Sequence, residues 1–310
     1  MTTAYITHGD CLRHEMGAGH PESPERLASI NEHMRASGLL DTVRSLEAPL
    51  AEEEDLARVH RPEYVELIFE NAPEEGYLQL DPDTAMNPLS LAAARRAAGA
   101  GVLAVTETIE GRVGNAFCAV RPCGHHATQR RAMGFCIFNN IAVAAAYALE
   151  QMGLERVAII DFDVHHGNGT EDMFSAPQWQ ERVLMASFFQ HPFYPYSGTD
   201  HPAPNMINVP LAAGSDGTRA RKAVQEHWLP ALGRFKPQMI LISAGFDAHR
   251  DDLLGGLALI EDDYVWMTRE LMGVAAQHAQ GRIVSMLEGG YNLAALGRSA
   301  VAHVRALSDS

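Results

Sequence analysis

Residues 161–169, DFDVHHGNG, place two carboxylates and an imidazole at alternate positions, Asp161, Asp163 and His165. They close an apolar run, and the period-two alternation of a strand end turns all three to one side. Two carboxylates at a buried strand terminus are costly unless a cation or strong hydrogen-bond donors compensate them. The segment is therefore read as metal-binding. A divalent ion needs a further ligand from elsewhere in the chain, and Asp247, closing the apolar run MILISAGFD, is the candidate.

A second constellation is the pair His125-His126, which follows the turn-forming stretch Arg121-Pro122-Cys123-Gly124. A lone histidine is most often structural, but two adjacent ones after a glycine turn at a strand end point to catalysis. Each imidazole needs a partner to fix its tautomer, and Asp161 and Asn168 are the natural ones. Different partners set different pKa values, which divides acid from base. Near the C-terminal end of the sequence, Gly289-Gly290-Tyr291-Asn292 presents a phenol on a glycine-loosened turn, a good donor to a developing oxyanion.

These residues need elements to hold them. Apolar runs rich in Val, Ile and Phe at 115–120, 156–164, 182–188, 206–211, 237–244 and 282–287 read as buried strands. Helical patterns at 91–108, 140–152, 218–235 and 264–278 alternate with them, as in a parallel sheet covered on both faces. Five strand ends carry polar segments that make little sense as core: RPCGHH, DFDVHH, SFFQH, SAGFDAH and LEGGYN. In a doubly wound sheet such segments converge on one crevice outside the carboxyl ends of the strands. Residues 192–204, rich in Pro, Tyr and His, read as a surface loop rimming the pocket.

The composition fits one large α/β domain spanning residues 1–310, with no linker-like break. No run of eighteen apolar residues and no basic-then-apolar leader occurs, so a membrane span is not expected and the cytoplasm is the default location. Four cysteines without CxxC or framework spacing fit buried, reduced thiols. A net charge of −15 argues against nucleic acid as a partner, although solubility alone also accounts for such a surplus.

Together the segments RPCGHHAT, GFCIFNN, DFDVHHGNGT, SAGFDAHRDDLLGG and LEGGYN closely resemble the histone deacetylase superfamily, in particular its class II branch and the bacterial amidohydrolases similar to it. The match runs from HPESPER at 20–26 almost to the end of the sequence. The resemblance implies the arginase/deacetylase fold, a mostly parallel eight-stranded sheet with helices on both faces. It implies Zn²⁺ held by Asp163, His165 and Asp247, and a structural K⁺ near Asp161, Asp163, His165, Ser187 and Phe188. It pairs His125 with Asp161 and His126 with Asn168, and makes Tyr291 the residue that polarises the scissile carbonyl. Substrate contacts implied in the same way are Phe135 with its neighbour Gly134, Tyr194, Leu254 and Asp83, while Arg26 would sit by an internal exit channel. Asn168 stands where class I members carry Asp, and Cys123 where the commoner motif has Pro.

The reaction so implied is hydrolysis of an N-ε-acyl-lysine in a peptide or protein, giving lysine and a carboxylate. The runner-up is an acetylpolyamine amidohydrolase. An arginase-like enzyme needs a second metal and further carboxylates, yet Asp247 is followed by Ala-His-Arg. A non-catalytic acyl-lysine reader would lack the carbonyl-polarising residue, and Tyr291 is present. The physiological substrate, the preferred acyl chain and a homo-oligomeric state are left open.

Overall fold

The computed structural model describes residues 2–309. Among the described residues ten strands occur: β1 (Thr3–Thr7), β2 (Arg44–Glu47), β3 (Leu78–Asp81), β4 (Thr84–Met86), β5 (Asn115–Cys118), β6 (Val157–Asp161), β7 (Val183–Gln190), β8 (Met206–Leu211), β9 (Met239–Ala244) and β10 (Ile283–Leu287). The α-helices are α1 (Glu25–Ala36), α2 (Glu53–Leu56), α3 (Pro62–Glu70), α4 (Ser90–Ile109), α5 (Asn140–Glu150), α6 (Asn168–Phe174), α7 (Gly217–Ala223), α8 (Leu229–Phe235), α9 (Glu261–His278) and α10 (Leu293–Ser308). Eight strands form one sheet in the order β2-β1-β5-β10-β9-β6-β7-β8. Every ladder in it is parallel. The expected sheet is therefore present, and β3 and β4 make a separate antiparallel hairpin.

The strands are continuous apolar runs because both faces are covered; β6, β7, β9 and β10 are buried at every position. Adjacent residues of β10 show the two layers. Ser285 hydrogen-bonds His303 on α10, while Met286 packs at Gly101 on α4. Helices α4 and α5 form one layer, and α1, α10 and α9 pack side by side in the other. None of the helices of the described residues is long and apolar enough to cross a membrane.

Two expectations needed correction in detail. The helix read at 218–235 is divided by a π-helical turn, Val224–Trp228, between α7 and α8. The strand read at 156–164 leaves the ladder after Asp161. There Asp161 Oδ1 accepts from the Asp163 amide (3.0 Å) and Asp163 Oδ1 from the His165 amide (2.9 Å). Each carboxylate thus replaces a ladder partner for the N–H two residues on, as Asp does in turns. Strand β1 and the edge strand β2 escaped the reading of individual runs because they are short, and β2 is largely exposed.

Candidate active site

Five adjacent strands, β5, β10, β9, β6 and β7, deliver the five polar segments to the same end of the sheet. Asp163, His165 and Asp247 meet there with one donor atom each, all within 4.8 Å of one another. His165 Nδ1 lies 3.0 Å from Asp163 Oδ1 and 3.2 Å from Asp247 Oδ2. The other carboxylate oxygens are fixed by backbone: Gly289 N–H donates to Asp163 Oδ2 (2.8 Å) and Val164 N–H to Asp247 Oδ1 (2.9 Å). Gly289 has to be glycine, since a Cβ would lie 2.0 Å from Asp247 Oδ2.

Burial and the charge of Asp163 push the Asp247 carboxyl up to about 7. For His165, burial opposes protonation, but the hydrogen bonds to Asp163 and Asp247 outweigh it and lift the imidazole to about 10. Two buried carboxylates and one imidazole thus compete for positive charge. The donor set of two oxygens and one nitrogen suits zinc, with room in its chemistry for other first-row divalent ions.

The two tandem histidines differ in partner. His125 Nδ1 is 2.9 Å from Asp161 Oδ2 and His126 Nδ1 is 2.7 Å from Asn168 Oδ1. Burial works against the charge on His125, but Asp161, Asp163 and Glu288 overcome it and hold the ring well above the usual histidine range. His126 falls well below that range, through burial first and then the charges of His125 and His165. An amide oxygen only accepts, so His126 carries its proton on Nδ1 and keeps a lone pair on Nε2. One ring is thus held towards its cationic form and its neighbour towards its neutral form.

A cavity of about 230 Å³ leads down to these groups, lined among others by Asp83, Phe135, Phe193, Tyr194, Leu254 and Tyr291. Phe135 meets Tyr291 edge-on at 5.8 Å, and Tyr194 meets His126 edge-on at 5.3 Å. Gly134 has positive φ (57°), and a Cβ on it would lie 2.4 Å from the His126 ring, so only glycine lets the wall approach the base so closely. Asp83, at the turn of the β3-β4 hairpin, accepts from the Gly134 amide (3.0 Å), while Thr84 Oγ1 accepts from the Phe135 amide (2.9 Å). The hairpin thereby braces the channel wall. Tyr291 precedes Asn292, whose side chain caps α10 by accepting from Ala295 N–H. Buried Arg26 sits 4.8 Å from the Tyr291 ring centroid and donates to the carbonyls of Gly290 (2.6 Å) and Glu288 (2.5 Å).

Ser187 stands opposite Asp161 in the β6-β7 register, and Phe188 follows it with its ring stacked on Trp228 at 5.2 Å. These positions put Asp161 and Ser187 side by side behind the metal segment.

Several residues of the site were not singled out from the sequence. Phe193 stacks on His165 at 5.4 Å, which an aromatic residue in the 192–204 loop hinted at. Glu288, inside LEGGYN, is fully buried and accepts from the amides of Gly124 (2.7 Å) and His125 (3.1 Å) and from Ser243 Oγ (3.1 Å). Asp252, inside RDDLLGG, accepts from the amides of Tyr291 (2.6 Å), Asn292 (2.9 Å) and Leu254 (2.9 Å). Both carboxylates sat in quoted motifs, but nothing local assigned their acceptors.

The chain matches the family model described as the histone deacetylase domain over residues 20–307. It is 38% identical to the histone deacetylase-like amidohydrolase of Pseudomonas aeruginosa over 291 residues, covering 92% of this chain and 76% of that protein. It is 36% identical to a probable deacetylase of Archaeoglobus fulgidus, with 94% and 82% covered. Among solved structures, the HD domain of HDA15 superposes with a TM-score of 0.92 at 35% identity, over 100% of this chain and 88% of that one. With the fold, the motif positions and these similarities in agreement, this chain belongs to the histone deacetylase family.

Proposed function

We propose that the protein is a zinc-dependent deacylase that hydrolyses N-ε-acetyl-lysine in peptides or proteins, releasing lysine and acetate. The observation that carries this reading is the convergence of Asp163, His165 and Asp247 with His125, His126 and Tyr291 at the foot of one narrow, aromatic-walled channel. Asp163, His165 and Asp247 would hold the zinc ion, which would supply Lewis acidity to the scissile carbonyl. K⁺ is proposed beside Asp161 and Ser187, as a structural ion.

The remaining steps belong to the chain. Phe135 and Tyr194 flank the extended acyl-lysine, and Tyr291 donates a hydrogen bond to the carbonyl oxygen as charge develops on it. His126, neutral with Nε2 unprotonated, takes a proton from the attacking water and returns it to the leaving amine. His125, kept cationic by Asp161, stabilises the negative charge that builds beside it. Leu253 and Leu254 at the mouth offer no counter-charge to a second ammonium, which favours acetyl-lysine peptides over acetylpolyamines. The acidic net charge disfavours nucleic acid as a direct partner.

Hydrolysis of a fluorogenic acetyl-lysine peptide, assayed with and without a chelator, tests the proposal. Turnover that stops on chelation and returns with zinc supports it; no turnover, or turnover indifferent to chelation, overturns it. A panel that includes acetylspermidine decides the substrate class.

A further inference from the structure

Cys123 and Cys136 lie back to back behind the catalytic histidines, their sulfurs 3.4 Å apart and both residues buried. Cys123 belongs to the turn that carries His125 and His126; Cys136 follows Gly134-Phe135 of the channel wall. The Gly134 carbonyl touches both sulfurs, at 3.3 Å from Cys136 and 3.8 Å from Cys123. Gly134 is also the residue pressed against the His126 ring. No step of the proposed hydrolysis uses either thiol.

We propose that Cys123 and Cys136 form an oxidisable dithiol, which a peroxide converts to a disulfide that disables the active site. Burial holds the Cys136 thiol protonated, so Cys123 is the sulfur that reacts first. The Cys123 sulfur attacks one peroxide oxygen and the O–O bond breaks. The hydroxide that leaves takes up the proton lost from Cys123, giving water and a sulfenic acid. The Cys136 sulfur then displaces hydroxide from the sulfenic sulfur, an S–S bond forms, and the Cys136 proton leaves in a second water. Two thiols and one hydrogen peroxide become one disulfide and two waters. Hydrogen peroxide is small enough to enter the channel, whose wall includes Gly134.

A disulfide requires the sulfurs to approach from 3.4 Å to about 2.05 Å, a closure shared between side-chain rotation and the two packed segments. That movement pulls the Gly134-Phe135 wall against His126 and shifts the turn bearing both histidines. A misplacement of about 1 Å at reacting groups costs roughly 10²-fold in rate.

The test rests in part on the proposed deacylase reading, and a mass measurement made without substrate keeps the two separable. Zinc-loaded full-length protein is titrated with hydrogen peroxide, digested under non-reducing conditions, and assayed in parallel on an acetyl-lysine peptide. The expected result is a Cys123–Cys136 cross-linked peptide two hydrogens lighter than its reduced parts, a roughly 10²-fold fall in kcat/KM, and recovery of both with dithiothreitol. Cys123→Ala and, separately, Cys136→Ala should keep turnover near that of the reduced protein and resist peroxide. Absence of the cross-linked peptide, a cross-linked enzyme with undiminished kcat/KM, or equal peroxide sensitivity in the alanine variants overturns the inference. A protein inactive on every acyl-lysine peptide that still forms the cross-link sinks the deacylase reading but not the dithiol.

Discussion

Tyr291 contributes a single phenol to the site, yet its place depends on three others: Arg26 against its ring, Asp252 on its amide, and Asn292 capping the helix behind it. A donor so fixed is worth most when charge builds on the carbonyl oxygen. Tyr291→Phe should therefore lower kcat by roughly 10²–10³-fold with little change in KM, and steady-state kinetics showing an unchanged kcat would reduce the tyrosine to a piece of channel wall. Asp247 is the proposed ligand that follows a different strand than the other two. Asp247→Ala should lose both the bound metal and turnover, as removing one of three donors leaves two; full metal occupancy by elemental analysis in that variant would remove Asp247 from the ligand set. The class II-like Asn168 fixes the tautomer of His126 without adding a negative charge beside it. This, with burial, favours the neutral ring that the proposed base role requires.

In the proposed function, selectivity is set by the loop between β9 and α9. It contains Asp247, passes exposed Leu253 and half-buried Leu254 at the channel mouth, and is tied by Asp252 to the backbone of Tyr291 and Leu254. The rim loop and the backbone of Tyr291 thus share one carboxylate. Leu254→Glu would place a charge at the mouth that suits a second ammonium. It should raise kcat/KM for acetylpolyamines and lower it for acetyl-lysine peptides, each by several-fold, since a near-exposed charge pair contributes about 1 kcal/mol. Side-by-side assays of both substrates check this, and a wild-type protein that already prefers acetylspermidine would move the polyamine reading ahead. The β3-β4 hairpin acts similarly on the opposite wall, where Asp83 and Thr84 hold the Gly134-Phe135 backbone.

Across the whole molecule, the layer of α9 and α10 is joined to the sheet by a buried polar link. His303 on α10 bridges Thr268 Oγ1 on α9 (2.6 Å) and Ser285 Oγ on β10 (2.8 Å), among the rings of Phe117, Phe162 and Phe246. Burial lowers this imidazole to about 3. Unfolding restores an ordinary value near 6.5, so below that pH the unfolded chain binds a proton that the folded chain refuses. The contribution of His303 is complete above pH 6.5 and declines as pH falls towards 3, by about 1.4 kcal/mol per pH unit. His303→Asn cannot take up that proton. Denaturant unfolding should show the stability gap between wild type and this variant shrinking by that slope from pH 6.5 to 5; a gap independent of pH would mean that the ring is not held neutral in the fold.

What the sequence by itself determined was the sheet and the polar segments at its strand ends, among which the proposed reacting groups lie. Alternation around Asp161, continuous apolar runs and glycine turns are local signals, written within a few residues of each other, and they were sufficient to place His125, His126, Asp163, His165, Asp247 and Tyr291 at strand ends. Tertiary structure alone decided what depends on distant segments meeting. Glu288 braces a turn more than 160 residues away, Asp252 ties the rim loop to Tyr291, Phe193 covers His165, and Cys123 touches Cys136. The end of β6 was also a tertiary matter, because its carboxylates take over the backbone donors as the chain bends into the site. A side chain's residue type states what it can bond, but its partner is selected by the order in which strands are laid in the sheet, and that order places β10 and β9 between β5 and β6.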